Sequence, residues 1–186
     1  MSFSIRALPW LPEPPEDFKQ QCKALTPNGA DIGARLCGLA THRLNSTQSV
    51  TFSRTLRRMQ AEGADLSPLS TFRLAILPSF TMDTVADMIP AACARHGVSI
   101  SMAIAEFDQI IQTVHEVPPA IFEPAIDAAL LIFDHRWLAL DRFSADGGDD
   151  LVEAALERVS ICLRQLRQAV GAQAIVSTVA VPPGSV

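Results

Sequence analysis

Positive charge is scarce in this 186-residue chain: 15 Lys and Arg stand against 20 Asp and Glu, for a net charge of −5. With a pI near 5.3, it lacks the basic footprint expected of a nucleic-acid-binding domain. Long apolar runs are missing too. The longest, Ala128 to Phe133, falls far short of the roughly 20 residues a membrane span needs, and suits a buried strand. Cys22, Cys37, Cys93 and Cys162 form no C-x-x-C pair, so zinc and dithiol redox chemistry are not expected and all four are predicted to be free core thiols. The sequence has no glycine-rich phosphate loop of either common type. The DxDxT signature of haloacid-dehalogenase phosphoryl chemistry is also missing. The first fifteen residues carry four prolines and no charged head followed by a long apolar stretch. No secretion signal is read there, and a cytoplasmic location is expected. Two lysines against thirteen arginines, with abundant alanine, suggest a GC-rich bacterial genome.

What is present is a foldable chain. Apolar residues make up 48 % and charged residues 19 %, too apolar a balance for disorder. The proline-rich start should be extended, with Trp10 and Leu11 as anchors. Three short helices are predicted next: Glu16 to Leu25, Ala30 to Arg43, and one with its N-cap in Asn45-Ser46-Thr47 that ends near Gly63. Together they make a helical lead-in over residues 1–70. From residue 71 the pattern changes. Apolar runs at Phe72–Leu77, Val98–Ile104, Ala128–Phe133 and Ala174–Val181 read as strands. Between them, helices are expected over Thr81–His96 (burying Val85, Ala86, Ile89, Ala92 and Cys93), Gln109–Val114 and Asp149–Val170. In the last, Val152, Ala155, Leu156, Val159, Leu163, Leu166 and Val170 fall on one predicted core face. Alternating strands and helices with such apolar strands imply an α/β domain built on a parallel sheet of at least four strands with flanking helices. Sheets of this kind usually carry five or more strands, so residues 71–186 are expected to be an incomplete domain or one module of a longer polypeptide.

Ligands of open parallel sheets bind beyond the carboxyl ends of the strands. Three turns there hold the candidates. The first is Pro78-Ser79-Phe80-Thr81-Met82-Asp83, where Ser79 could be a nucleophile and Thr81 and Asp83 could face a ligand or cap the next helix. The second holds Asp108, for which helix capping is the expected use. The third is Asp134-His135-Arg136-Trp137, the densest polar cluster. Asp134 and His135 could act there as an acid/base pair, or Asp134 could cap a helix beside a solvated histidine. No His, Asp and Glu set has metal-ligand spacing, so no metal site and no cofactor are expected in this chain. Arg54, Arg57 and Arg58 form a basic cluster suited to an acidic partner, or simply a solvated helix face.

The segments LPWLPEPPEDFKQQCKAL, FRLAILPSFTMDTVADMIPAACARHGVSISMAIAEFDQIIQTV and AALLIFDHRWLAL, in that order and spacing, resemble the N-terminal region of FkbH-like proteins. These are long bacterial members of haloacid-dehalogenase subclass IIIC, and the resemblance spans about Leu8 to Pro183. It implies an SGNH-hydrolase-like, flavodoxin-type α/β domain. A phosphatase-like domain carrying the DxDxT aspartates and its Mg2+ would follow. It also implies a role in forming glyceryl or related acyl units on an acyl carrier protein, for polyketide-type biosynthesis. On this resemblance the chain is an accessory domain that docks substrate, carrier protein or the phosphatase-like domain. The alternative is an SGNH-type esterase or acyltransferase using Ser79. Of the SGNH pattern, only the serine of the first strand–helix turn has a counterpart here. The Gly-Asp-Ser core, the glycine and asparagine of the oxyanion block and the Asp-x-x-His block are not matched.

Overall fold

The computed structural model describes residues 10–140 and 148–179. The element order is α1 (Phe18–Ala24), α2 (Ile32–Ala40), α3 (Ser46–Ala61), β1 (Ser70–Pro78), α4 (Asp83–Ala86), α5 (Ile89–Arg95), β2 (Val98–Ile104), α6 (Ile110–Glu116), α7 (Pro119–Phe122), β3 (Ala128–Ile132), α8 (Gly148–Ala169) and β4 (Gln173–Val176). The protein is α/β, with the four strands in the spatial order β2-β1-β3-β4. Leu74 to Pro78 of β1 run parallel to Ala128 to Ile132 of β3, and Ala128 to Leu131 run parallel to Gln173 to Val176 of β4. Each parallel return crosses over through helical chain, as the strand–helix alternation requires. The expected last strand reaches further than β4, and its residues 180 and 181 lie outside the described residues.

Two compact units divide the chain: Met1–Phe72 with Asp83–Ser101, and Arg73–Met82 with Met102–Val186. In the first, the apolar stripes of three short helices converge. Phe18 and Cys22 of α1, Ile32 and Leu36 of α2, and Phe52, Leu56 and Met59 of α3 join Ala91 and Ala94 of α5 in one buried cluster. Leu11 is buried while Trp10 stays exposed, so only one of the two expected anchors is seated. Helix α3 starts on a reciprocal capping box: Gln48 N–H donates to Asn45 Oδ1 (2.9 Å) and Asn45 N–H to Gln48 Oε1 (3.0 Å), pairing two otherwise orphaned donors. Gly33 lets α2 close on the backbone beneath it, since a Cβ there would lie 2.0 Å from the Leu66 carbonyl oxygen.

The single helix expected over Thr81–His96 is two. Pro90 lacks an N–H and its ring would clash with the preceding turn, so α4 stops at Ala86. Helix α5 restarts with Pro90 in its first turn, where that lost donor costs nothing. Ala86 is buried as expected, but Val85 and Ala92, also expected in the core, are exposed, and Pro90, Ala91 and Ala94 are buried in their place. Strand β2 alternates in sequence, Val98, Ile100, Met102 and Ile104 against Ser99, Ser101 and Ala103, but not in burial. Ser99 and Ile100 are both buried, because Gln60 Nε2 donates to Ser99 Oγ (3.0 Å) and Ile100 O (3.1 Å), satisfying the polar atoms that burial would strand.

In the second unit, Ala75 and Leu77 of β1 and Ala129 and Leu131 of β3 pack with Ile110 and Val114 of α6 and Ala155, Cys162 and Leu166 of α8. The inward stripe of α8 therefore differs from the expected one. Leu156 is 62 % exposed and Val152 also faces out, while Cys162 joins the core. All four cysteines are free, Cys22 and Cys162 buried and Cys37 and Cys93 half-buried. Among the described residues no helix is long and apolar enough to cross a membrane.

Candidate functional site

The order β2-β1-β3-β4 is that of a flavodoxin-like sheet, in which successive connections leave β1 in opposite directions and open a crevice at the carboxyl ends of β1 and β3. The register brings Pro78 beside Ile132, so the next residue of each strand end emerges at the same edge. Ser79 N–H donates to Ile132 O (2.9 Å) and extends the pairing by one step. Beyond it, Ser79 and Asp134 bind each other twice. The Ser79 hydroxyl donates to Asp134 Oδ1 (3.1 Å) and accepts from Asp134 N–H (2.8 Å). Trp137 N–H also donates to Asp134 Oδ1 (2.9 Å), the i+3 geometry of a capped turn. Of the two uses open to Asp134, capping is the one its hydrogen bonds display.

A cleft of about 410 Å³ opens over this knot, lined by Ser79, Phe80, Thr81, Phe107, Asp108, Asp134, Arg136 and Trp137. Four of the expected site residues thus share one cavity. Its aromatic wall is braced from behind: the Trp137 ring stacks on Phe133 with centroids 4.6 Å apart and 17° between planes. The Arg158 guanidinium lies 5.5 Å from the Trp137 ring centre, a cation–π position, and also donates to the Trp137 carbonyl. Phe107, by contrast, is 63 % exposed and forms an apolar lip of the cleft.

Asp108 does not cap α6 as expected. The residue before that helix is Gln109, which makes no side-chain capping bond, and Asp108 sits at φ 60° with its N–H on Pro78 O (3.1 Å). Few side chains hold this left-handed backbone, aspartate being among the more tolerant. The sheet edge fixes it there, leaving its exposed carboxylate on the rim of the cleft. Asp83 lies in the first turn of α4 and His135 is half-buried; neither lines the cavity. Sequence reasoning did not single out Phe80 and Phe107, since one exposed aromatic beside a strand end carries no signal until the strand order is known.

The basic cluster divides. Arg54 and Arg58 line a second depression with Lys19, Lys23, Thr51 and Thr55, whereas Arg57 pairs with Asp87 at 2.8 Å. Burial pushes the Cys22, Cys93 and Cys162 thiols up from their ordinary value, which keeps them protonated and poor nucleophiles or metal ligands. Among the described residues, no group of three or more His, Cys, Asp and Glu side chains is placed to hold a metal ion.

No family model matches the chain, and no curated protein matches it. Among solved structures, it is similar to a crystal structure of the N-terminal part of the protein BF1531 from Bacteroides fragilis, containing a phosphatase domain complexed with Mg. The two share 15 % identity at a TM-score of 0.49, over 72 % of this chain and 35 % of the other. This chain therefore spans about a third of that structure's length.

Proposed function

We infer that this chain is an accessory docking module, which holds a substrate or partner segment at the carboxyl ends of β1 and β3 and leaves bond-making to another domain. One observation carries the reading. The Ser79 hydroxyl is buried, and both its donor and an acceptor position are committed to Asp134. A serine nucleophile needs a base that takes its proton and a third group that orients the base. The carboxylate beside Ser79 is instead held by two donors, and none of the four histidines is among the residues lining the cleft. The cleft's own chemistry is that of a binding site: apolar faces from Phe80, Phe107 and Trp137, with Thr81, Asp108 and Arg136 spaced among them to fix orientation.

The fuller reading draws on the sequence resemblance. In it, the chain is the N-terminal accessory domain of an FkbH-like protein that forms glyceryl- or related acyl-carrier-protein units. Its partners are an acyl carrier protein or a following phosphatase-like domain, and Mg2+ belongs to that domain. The test has two parts. Hydrolysis of p-nitrophenyl acetate is compared for the wild-type chain and Ser79→Ala, with equal background rates expected. Acyl carrier protein is then titrated into the 15N-labelled chain, and amide shifts are expected at Ser79–Thr81, Phe107–Asp108 and Arg136–Trp137. Turnover that disappears with Ser79→Ala overturns the docking reading in favour of an esterase. A carrier titration that leaves those amides unmoved removes the carrier protein as the cleft's partner.

A further inference from the structure

The first unit carries a depression of its own, built where α1 and α3 pack together. Lys19 and Lys23 face it from α1, and Arg54 and Arg58 from α3, with Thr51 and Thr55 between them. Its volume is about 310 Å³, the small end of the range for small-molecule pockets. The concentration of charge is unusual for this chain. It is acidic overall and has only two lysines, yet both are here. Each helix contributes an i, i+4 pair of like charges, a spacing that puts the two groups side by side on one face and is unfavourable in isolation. Two such pairs turned toward one hollow repel further. None of the four takes part in the salt bridges of the described residues, which join Arg43 to Glu13, Arg57 to Asp87 and Arg164 to Glu157.

Ordinary structural duties account for part of this set. Arg58 Nη2 donates to Leu25 O (2.9 Å) past the end of α1, and Lys23 lies in the last turn of that helix, where its charge complements the dipole. Lys19 and Arg54 have no such role. The Thr51 and Thr55 hydroxyls donate to the helix carbonyls of Thr47 and Thr51, each at 2.9 Å. The hollow therefore offers cationic N–H groups and has no carboxylate in its lining.

We propose that this depression binds a small, multiply charged anion of the phosphate type, a phosphate monoester or a diphosphate. Four cations around one small cavity match an anion of charge −2 or more, which gains from each of them, whereas a monoanion recovers little of the repulsion. Arg58 is pre-set by its bond to Leu25 O, so its remaining fork of donors is available in a fixed orientation. The proposal concerns the first unit and stands independently of the reading of the cleft.

The experiment titrates inorganic phosphate, pyrophosphate, chloride and acetate into the 15N-labelled chain at constant ionic strength. Saturable shifts at the amides of Lys19, Lys23, Arg54 and Arg58 are expected with pyrophosphate, tighter than with phosphate and not saturable with chloride or acetate. The paired substitution Lys19→Gln with Arg54→Gln, both at exposed positions, is expected to weaken pyrophosphate binding at least tenfold while circular dichroism stays unchanged. Arg164→Gln, which removes a cation on α8, is expected to leave it unchanged. The proposal is overturned if pyrophosphate produces no saturable shift, if all four anions act alike, or if the paired variant binds as the wild type does. Binding of an acidic protein through these residues with no response to pyrophosphate would also overturn it.

Discussion

Ser79→Ala removes the atom that ties the ends of β1 and β3 together, and its cost can be worked from the hydrogen bonds lost. Two disappear: one from the Asp134 N–H to Ser79 Oγ (2.8 Å), and one from that hydroxyl to the Asp134 carboxylate (3.1 Å). A neutral bond contributes about 1 kcal/mol net, and one to a charged group about 1.5–3 kcal/mol. Asp134 is half-buried, so water regains part of its solvation, and Trp137 N–H still holds Oδ1. The net loss expected is about 2 kcal/mol. For a chain of this length that corresponds to a fall in Tm of about 4–8 °C, measurable by circular dichroism. Asp134→Asn supplies the other corner of a double-mutant cycle, with a coupling energy of about 1–2 kcal/mol expected between the two sites. A Ser79→Ala protein within about 0.5 kcal/mol of wild type, the scatter of ordinary surface substitutions, would refute the claim that this hydroxyl is a structural tie.

Two glycines of α2 should respond in opposite directions in the same assay. Gly33→Ala drives a methyl group into the Leu66 carbonyl and is expected to destabilise by about 3 kcal/mol or more. Gly38→Ala meets no atom within 4 Å and should stabilise by about 0.5–1 kcal/mol. Asp108→Gly relieves a left-handed backbone, so a gain of about 0.5–1 kcal/mol is expected, together with weaker binding of whatever occupies the cleft. Burial raises three thiols above the ordinary value of 9.0, so the folded state keeps protons that the unfolded chain gives up. Their contribution is fully present below about pH 9 and is lost as pH rises through the raised values. Urea midpoints under reducing conditions should therefore decline above that point, and the chain has no tyrosine to titrate in the same range.

Much of the framework is legible because strands and helices are encoded by different periods. Leu74 to Leu77 and Ala128 to Leu131 are short, almost wholly apolar and separated by helical stretches, a combination that fits strands covered on both faces. Parallel strands put their carboxyl ends on one edge, so a shared rim for the Ser79 turn and the Asp134 cluster could be anticipated, whereas their direct hydrogen bonds depend on β1 and β3 being neighbours. The details that escaped depend on three-dimensional neighbours. Ser99 is buried only because Gln60 reaches it. Asp108 takes its left-handed backbone from a bond to Pro78 O, and Pro90 divides a helix whose apolar pattern runs on across the break.

Helix α8 shows most directly why pattern stops short of packing. Its 22 residues offer two overlapping stripes, one through Val152, Leu156 and Leu163, the other through Ala155, Val159, Cys162 and Leu166. Counting apolar residues favours merging them, and a merged stripe places Leu156 at its centre. The fold seats Ala155, Cys162 and Leu166 and leaves Leu156 outside. The seated residues share one buried cluster with α6 and the sheet, α6 and β4 being the elements α8 packs against, and they gain dispersion contacts there. The same choice of stripe turns Arg158 toward Trp137. The bracing of the cleft's aromatic wall thus depends on which stripe α8 presents to the core, and could not be read from the Asp134–Trp137 segment by itself.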